Sequence, residues 1–107
     1  MSRHWINIFL TISEIAYFYV ENGMTYIYTF AGKKYNLTYS LDEVEKKVDG
    51  KEFYRANRRF IINFNAVSEI QHFFNRKLVV KLKAPVKETV LISKARSSHF
   101  LKWMESH

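Results

Sequence analysis

The chain has 107 residues, with 17 Lys and Arg against 10 Asp and Glu, a formal net charge of +7, 48% hydrophobic and 17% aromatic residues, and no cysteine. At this length and apolar content one domain with a buried core is expected, which excludes a disordered basic tail. The absence of thiols excludes disulfides, thiol nucleophiles and thiolate zinc sites, and no stretch approaches the roughly 18 apolar residues of a membrane span.

The chain opens on a short apolar run, Trp5 to Leu10, interrupted by Asn7 and followed by no small-residue cleavage pattern. A secretory leader is therefore not expected, and a soluble cytoplasmic protein is. Residues 1–12 read as an extension or an edge strand ahead of a domain over 13–107. Ile15 to Val20 and Thr25 to Phe30 are apolar and β-prone, and Asn22-Gly23 between them supplies the positive φ of a tight hairpin. A second turn at Ala31 to Lys34 leads into Tyr35 to Thr38 and completes a meander.

At Ser40 the period changes. Ser40-Leu41-Asp42-Glu43 is a capping box, and Leu41, Val44 and Val48 form one apolar stripe of a short helix, expected to end at Gly50 in a left-handed cap. Strand patterns return at Phe53 to Arg55, Phe60 to Asn63, Val67 to Phe73, Lys77 to Leu82 and Val86 to Ile92. Lys77 to Leu82 partly alternates, as a strand with one wet face does. Asn75-Arg76 and Ala84-Pro85 mark turns. Ser93 then stands as an N-cap for a C-terminal helix whose Phe100, Leu101, Trp103 and Met104 form a docking face.

The chemistry of these residues points to binding rather than catalysis. His4, His72, His99 and His107 have no metal-ligand spacing, the three glycines sit singly, and several carboxylates belong to the first helix. Positive charge is concentrated: residues 51–107 hold 12 basic and 4 acidic side chains, a net of +8, against −1 for residues 1–50. Such asymmetry points to a polyanion. Arg55-Ala56-Asn57-Arg58-Arg59 lies between two apolar strands, where arginine forks suit phosphate oxygens or guanine edges and asparagine suits adenine. Arg55 or Arg58 could instead pair with the carboxylates of the first helix. Ser93 to Ser98, where a strand gives way to a helix, could hold a phosphate or be an ordinary cap with solvated cations. Tyr17, Phe18, Tyr19, Tyr26, Tyr28 and Phe30 read as packing residues rather than a stacking platform, because residues 12–32 carry no Lys or Arg.

The order of these elements resembles the LytTR DNA-binding domain of bacterial response regulators. The resemblance rests on Glu14 to Phe18, on Ser40 to Val44, above all on Phe53-Tyr54-Arg55-Ala56-Asn57-Arg58-Arg59-Phe60-Ile61-Ile62-Asn63, and on Ile92-Ser93-Lys94 followed by Phe100 to Trp103. It implies a mainly β fold of elongated stacked sheets with two short helices, in which loops rather than a recognition helix enter the major groove. It further implies base contacts at Asn22, Met24, Asn57, Arg58 and Lys94, and phosphate contacts at Thr25, Arg59, Ser93 and Arg96. The implied partner is double-stranded DNA, bound by two copies on direct repeats, with a receiver domain or sensor kinase upstream and no cofactor or metal. The sequence departs from the family pattern at Asn57, where many members have His, at Arg59 for Ser, at Lys94 for Arg, and at the apolar Met24. The other reading of the basic face is a β-rich interaction module for an acidic protein partner.

Overall fold

A computed structural model describes residues 10–107. Among these residues, eight strands form two antiparallel sheets. β1 (Ile15–Glu21), β2 (Met24–Thr29), β3 (Lys34–Leu37), β4 (Phe53–Arg55) and β5 (Phe60–Asn63) make the larger one in the order β3-β2-β1-β5-β4. β6 (Val67–His72), β7 (Leu78–Leu82) and β8 (Val90–Ile92) make the smaller one. Two helices, α1 (Leu41–Lys47) and α2 (Lys94–Glu105), complete the mainly β fold, 40 × 31 × 24 Å in extent.

Period-2 side chains bury both faces of the larger sheet. Phe18, Ile27 and Ile61 point to one face and pack with Leu41 and Val44 of α1. Tyr17, Phe60 and Ile62 point to the other and meet Leu78, Val80, Val90, Ile92 and Phe100 from the second sheet and α2. A register shift between Ile15 and Tyr17 lets Ile15 join the first cluster while Ala16 and Tyr17 join the second. Tyr17 and Phe18 are buried, as their packing role requires, whereas Phe30 is 41% exposed.

The capping box forms as expected: the Ser40 hydroxyl accepts from the Glu43 amide at 3.1 Å, and Glu43 accepts from the Ser40 amide at 2.8 Å. The end of α1 differs from expectation. Gly50 is no left-handed cap, since the helix stops at Val48, whose φ and ψ of −88° and 158° are extended. Asp49 closes the turn instead, its side chain accepting from the Lys51 amide and its carbonyl from Glu52 and Phe53.

The strand expected from Val86 is confined to Val90–Ile92, because the segment after Pro85 bends across the larger sheet. There the Tyr17 hydroxyl donates to the Pro85 carbonyl at 2.6 Å. β7 also has less wet face than its alternation predicts, since Leu78, Val79 and Val80 are all buried in the middle strand. At the N-terminus, Leu10 is buried in the α1 cluster with Ile12 packed beside it. The possible edge strand before it lies outside the described residues.

Candidate nucleic-acid interface

Strand register brings all three expected contact loops to one edge. Tyr19 pairs with Phe60, and the Val20 amide donates to the Arg59 carbonyl, so the β1–β2 turn and the β4–β5 loop leave the same end of the sheet. The Asn57 side-chain Nδ2 then donates to the Leu91 carbonyl at 2.9 Å, which ties the second loop to the strand that delivers Ser93 and Lys94.

The hairpin turn is built on Asn22 (φ 53°) and Gly23 (φ 76°), the two left-handed positions of a type I′ turn. Asn22 and Met24 are exposed at its tip. Thr25 is not: at 6% exposure it lies between Val20 and Leu37 in the sheet, and it offers little surface to a phosphate.

The second loop is held by Arg55. Its Nη1 lies 2.9 Å from Asp42 Oδ1 and 2.8 Å from Glu45 Oε1, its Nε donates to the Asn57 carbonyl at 2.6 Å, and its Nη2 to the Arg58 carbonyl at 3.3 Å. Of the two uses open to Arg55, the pairing with the first helix is the one formed. Asn57 also faces inward, with its Oδ1 accepting from the Arg59 amide at 2.8 Å as well as its bond to Leu91. Both ends of the side chain expected to read a base are therefore engaged within the protein. Arg58 points outward and takes part in no ion pair among the described residues. Arg59 is half exposed, with Nε 3.0 Å from Glu88 Oε1.

At the third loop Ser93 caps α2 by position, but its hydroxyl makes no capping bond. Ser93, Lys94 and Arg96 are exposed. The Arg96 guanidinium lies 5.2 Å from the centroid of Tyr54, a cation–π contact that uses the ring face. Tyr54 in turn shares a 2.8 Å hydrogen bond with His99 Nδ1.

Glu88, Lys87, Glu21 and Lys34, none of them singled out from the sequence, brace the edge. Glu21 lies 3.5 Å from both Lys87 and Lys34, and Lys87 foremost, then Lys34, holds its carboxyl below the usual carboxylate range. The Lys34 ammonium is raised, chiefly by its hydrogen bond to the Tyr19 hydroxyl. These pairs join residues 13 and 66 positions apart, a spacing that no local pattern reveals. Among the described residues no group of three or more His, Asp or Glu could hold a metal, and no helix is long and apolar enough to cross a membrane.

Two stacked sheets that carry arginine and lysine on loops along one edge define a β-built nucleic-acid-binding module. The chain belongs to the LytTr DNA-binding domain family, whose profile matches residues 7–105. It is 31% identical over 72 residues to the transcriptional regulatory protein YpdB of Escherichia coli strain K12, covering 67% of this chain and 29% of that protein. It is 38% identical over 70 residues to the transcriptional regulatory protein LytR of Staphylococcus aureus strain N315, covering 65% and 28%. The chain thus spans less than a third of the length of these relatives. A solved LytTr DNA-binding domain from Bacillus cereus has the same fold, with a TM-score of 0.75 at 24% identity over 89% of this chain and 84% of that one.

Proposed function

We propose that this DNA-binding domain of a transcription regulator recognises duplex DNA with its three clustered loops in the major groove. The observation that carries this reading is the convergence of the β1–β2 turn, the β4–β5 loop and the start of α2 on one edge. Arg58 and Lys94 read base edges, Asn22 and Met24 contact bases at the far end of the site, and Arg59, Ser93 and Arg96 meet phosphates. Asn57 acts by holding the second and third loops together rather than by touching a base. Cationic side chains release counterions from the phosphates and supply sequence-independent affinity, and base-edge contacts supply the preference. Two copies occupy direct repeats, and a receiver domain or sensor kinase in the same cytoplasmic pathway controls them. Titration of a fluorescent duplex tests the reading. Salt-dependent binding with a preferred repeat supports it, and no affinity for any duplex at low salt overturns it.

A further inference from the structure

The β6–β7 hairpin has no part in the contacts above, yet it ends in the most exposed large apolar side chain among the described residues. Phe74 is 68% exposed and Phe73 41%, with ring centroids 4.5 Å apart. Two adjacent aromatic rings left to water at a turn are costly unless something covers them. The turn holds Asn75 at φ 61° and Arg76 at φ 60°. Asparagine tolerates the left-handed region, but arginine is strained where a glycine would be relaxed.

The register fixes where this tip lies. His72 pairs with Leu78, and Leu78 with Ile92, so the turn projects from the end of the sheet at which β8 runs into Ser93 and Lys94. Cα atoms of the turn and α2 approach within 8 Å. His72, Arg76 and Lys77 flank the rings, and residues 70–83 contain no acid. Arg76 and Lys77 form no ion pair among the described residues. The hairpin therefore extends the cationic edge past the third loop and finishes it with an apolar surface.

We propose that this tip is a fourth DNA contact, in which Arg76 pairs with a backbone phosphate and Phe74 lies against a deoxyribose beside the base pairs read by the other loops. The inference rests on the DNA reading above and adds an element to it. A polyanion answers the uncompensated charge, and the sugar supplies an apolar partner for the ring. Contacts to phosphate and sugar position a protein without reading sequence, so this one strengthens binding to every duplex alike.

The test compares Phe74→Ala, Arg76→Ala and Arg76→Gly with the unaltered chain, and with Lys46→Ala on the exposed side of α1 as a control. Each is titrated over a range of salt against the duplex that the chain prefers and an unrelated duplex of equal length. Both Arg76 variants bind about 5- to 10-fold more weakly on both duplexes and lose about one unit of salt slope. Phe74→Ala binds severalfold more weakly with its slope unchanged. Arg76→Gly also unfolds at a higher temperature than the unaltered chain, which separates lost contact from lost folding. Hairpin variants that bind like Lys46→Ala at every salt concentration overturn the proposal, and so does a changed base preference. If the unaltered chain binds no duplex, the DNA reading itself falls. A hairpin that engages an acidic protein instead shows its loss only against that protein, with duplex affinity intact.

Discussion

The side-chain nitrogen of Asn57 donates to the carbonyl of Leu91 at 2.9 Å, across 34 residues of sequence. That bond ties together two of the three loops proposed to contact DNA. An element that must hold two loops against one helical groove benefits from such a tie, because a misplacement of one relative to the other degrades both sets of contacts.

Replacing Asn57 with Ala removes this bond and the one from the Arg59 amide, with a stability loss of about 1–2 kcal/mol expected by chemical denaturation. Asn57→Asp keeps the acceptor for the Arg59 amide but sets a carboxylate oxygen against the Leu91 carbonyl, so it destabilises the fold as well. Both variants blur base preference at the positions read by the second and third loops together. A full-stability variant with one altered base position would assign Asn57 to base reading instead.

Arg58 is exposed and takes part in no ion pair among the described residues. Arg58→Ala should lower specific affinity by about 1–3 kcal/mol and relax preference at one or two base pairs. Its thermal unfolding should stay close to that of the unaltered chain, because its side chain is exposed and forms no hydrogen bond among the described residues.

Arg55 behaves oppositely. Its side chain is 14% exposed, touches Asp42 and Glu45, and donates to two carbonyls of the loop. Arg55→Ala therefore destabilises the fold by about 1–3 kcal/mol and impairs binding through loop disorder. Arg55→Lys does not restore either, since an ammonium cannot reach four acceptors in the geometry of a planar fork. Denaturant titration beside DNA titration separates this pattern from that of Arg58→Ala.

Much of this edge was legible before the structure. The Asn22-Gly23 turn, the Ser40 capping box and the meander follow from turn chemistry and alternation within a few residues. The Phe53 to Asn63 motif places Asn57, Arg58 and Arg59 on a loop, whereas Arg55 ends β4 beside it. It did not reveal that Arg55 and Asn57 face inward while Arg58 faces out, because that division depends on Asp42, Glu45 and Leu91, which are remote in sequence. The family resemblance implies a phosphate contact at Thr25, but strands on both sides bury it. Gly50 resembled a helix terminator, yet Asp49 closes that turn through its own side chain. The Lys87–Glu21–Lys34 cluster had no local signature at all.

That cluster carries a pH signature. Glu21 is more acidic in the folded chain than in the unfolded one, so its contribution to stability is complete above its ordinary pKa of 4.5 and fades as pH falls through the lowered value. Lys87→Ala removes the largest cause of the lowering. A carboxylate titration followed by NMR should show the Glu21 midpoint rise toward 4.5 in that variant, and an unmoved midpoint would place the cause elsewhere.

The most direct measurement is selection of bound sequences from a random duplex pool, carried out in parallel with the unaltered chain and with Arg58→Ala. Enrichment of a repeated motif is expected, with information lost at one or two positions of each repeat in the variant. A pool that stays random, or one that gives identical motifs with and without Arg58, would contradict sequence reading by this loop.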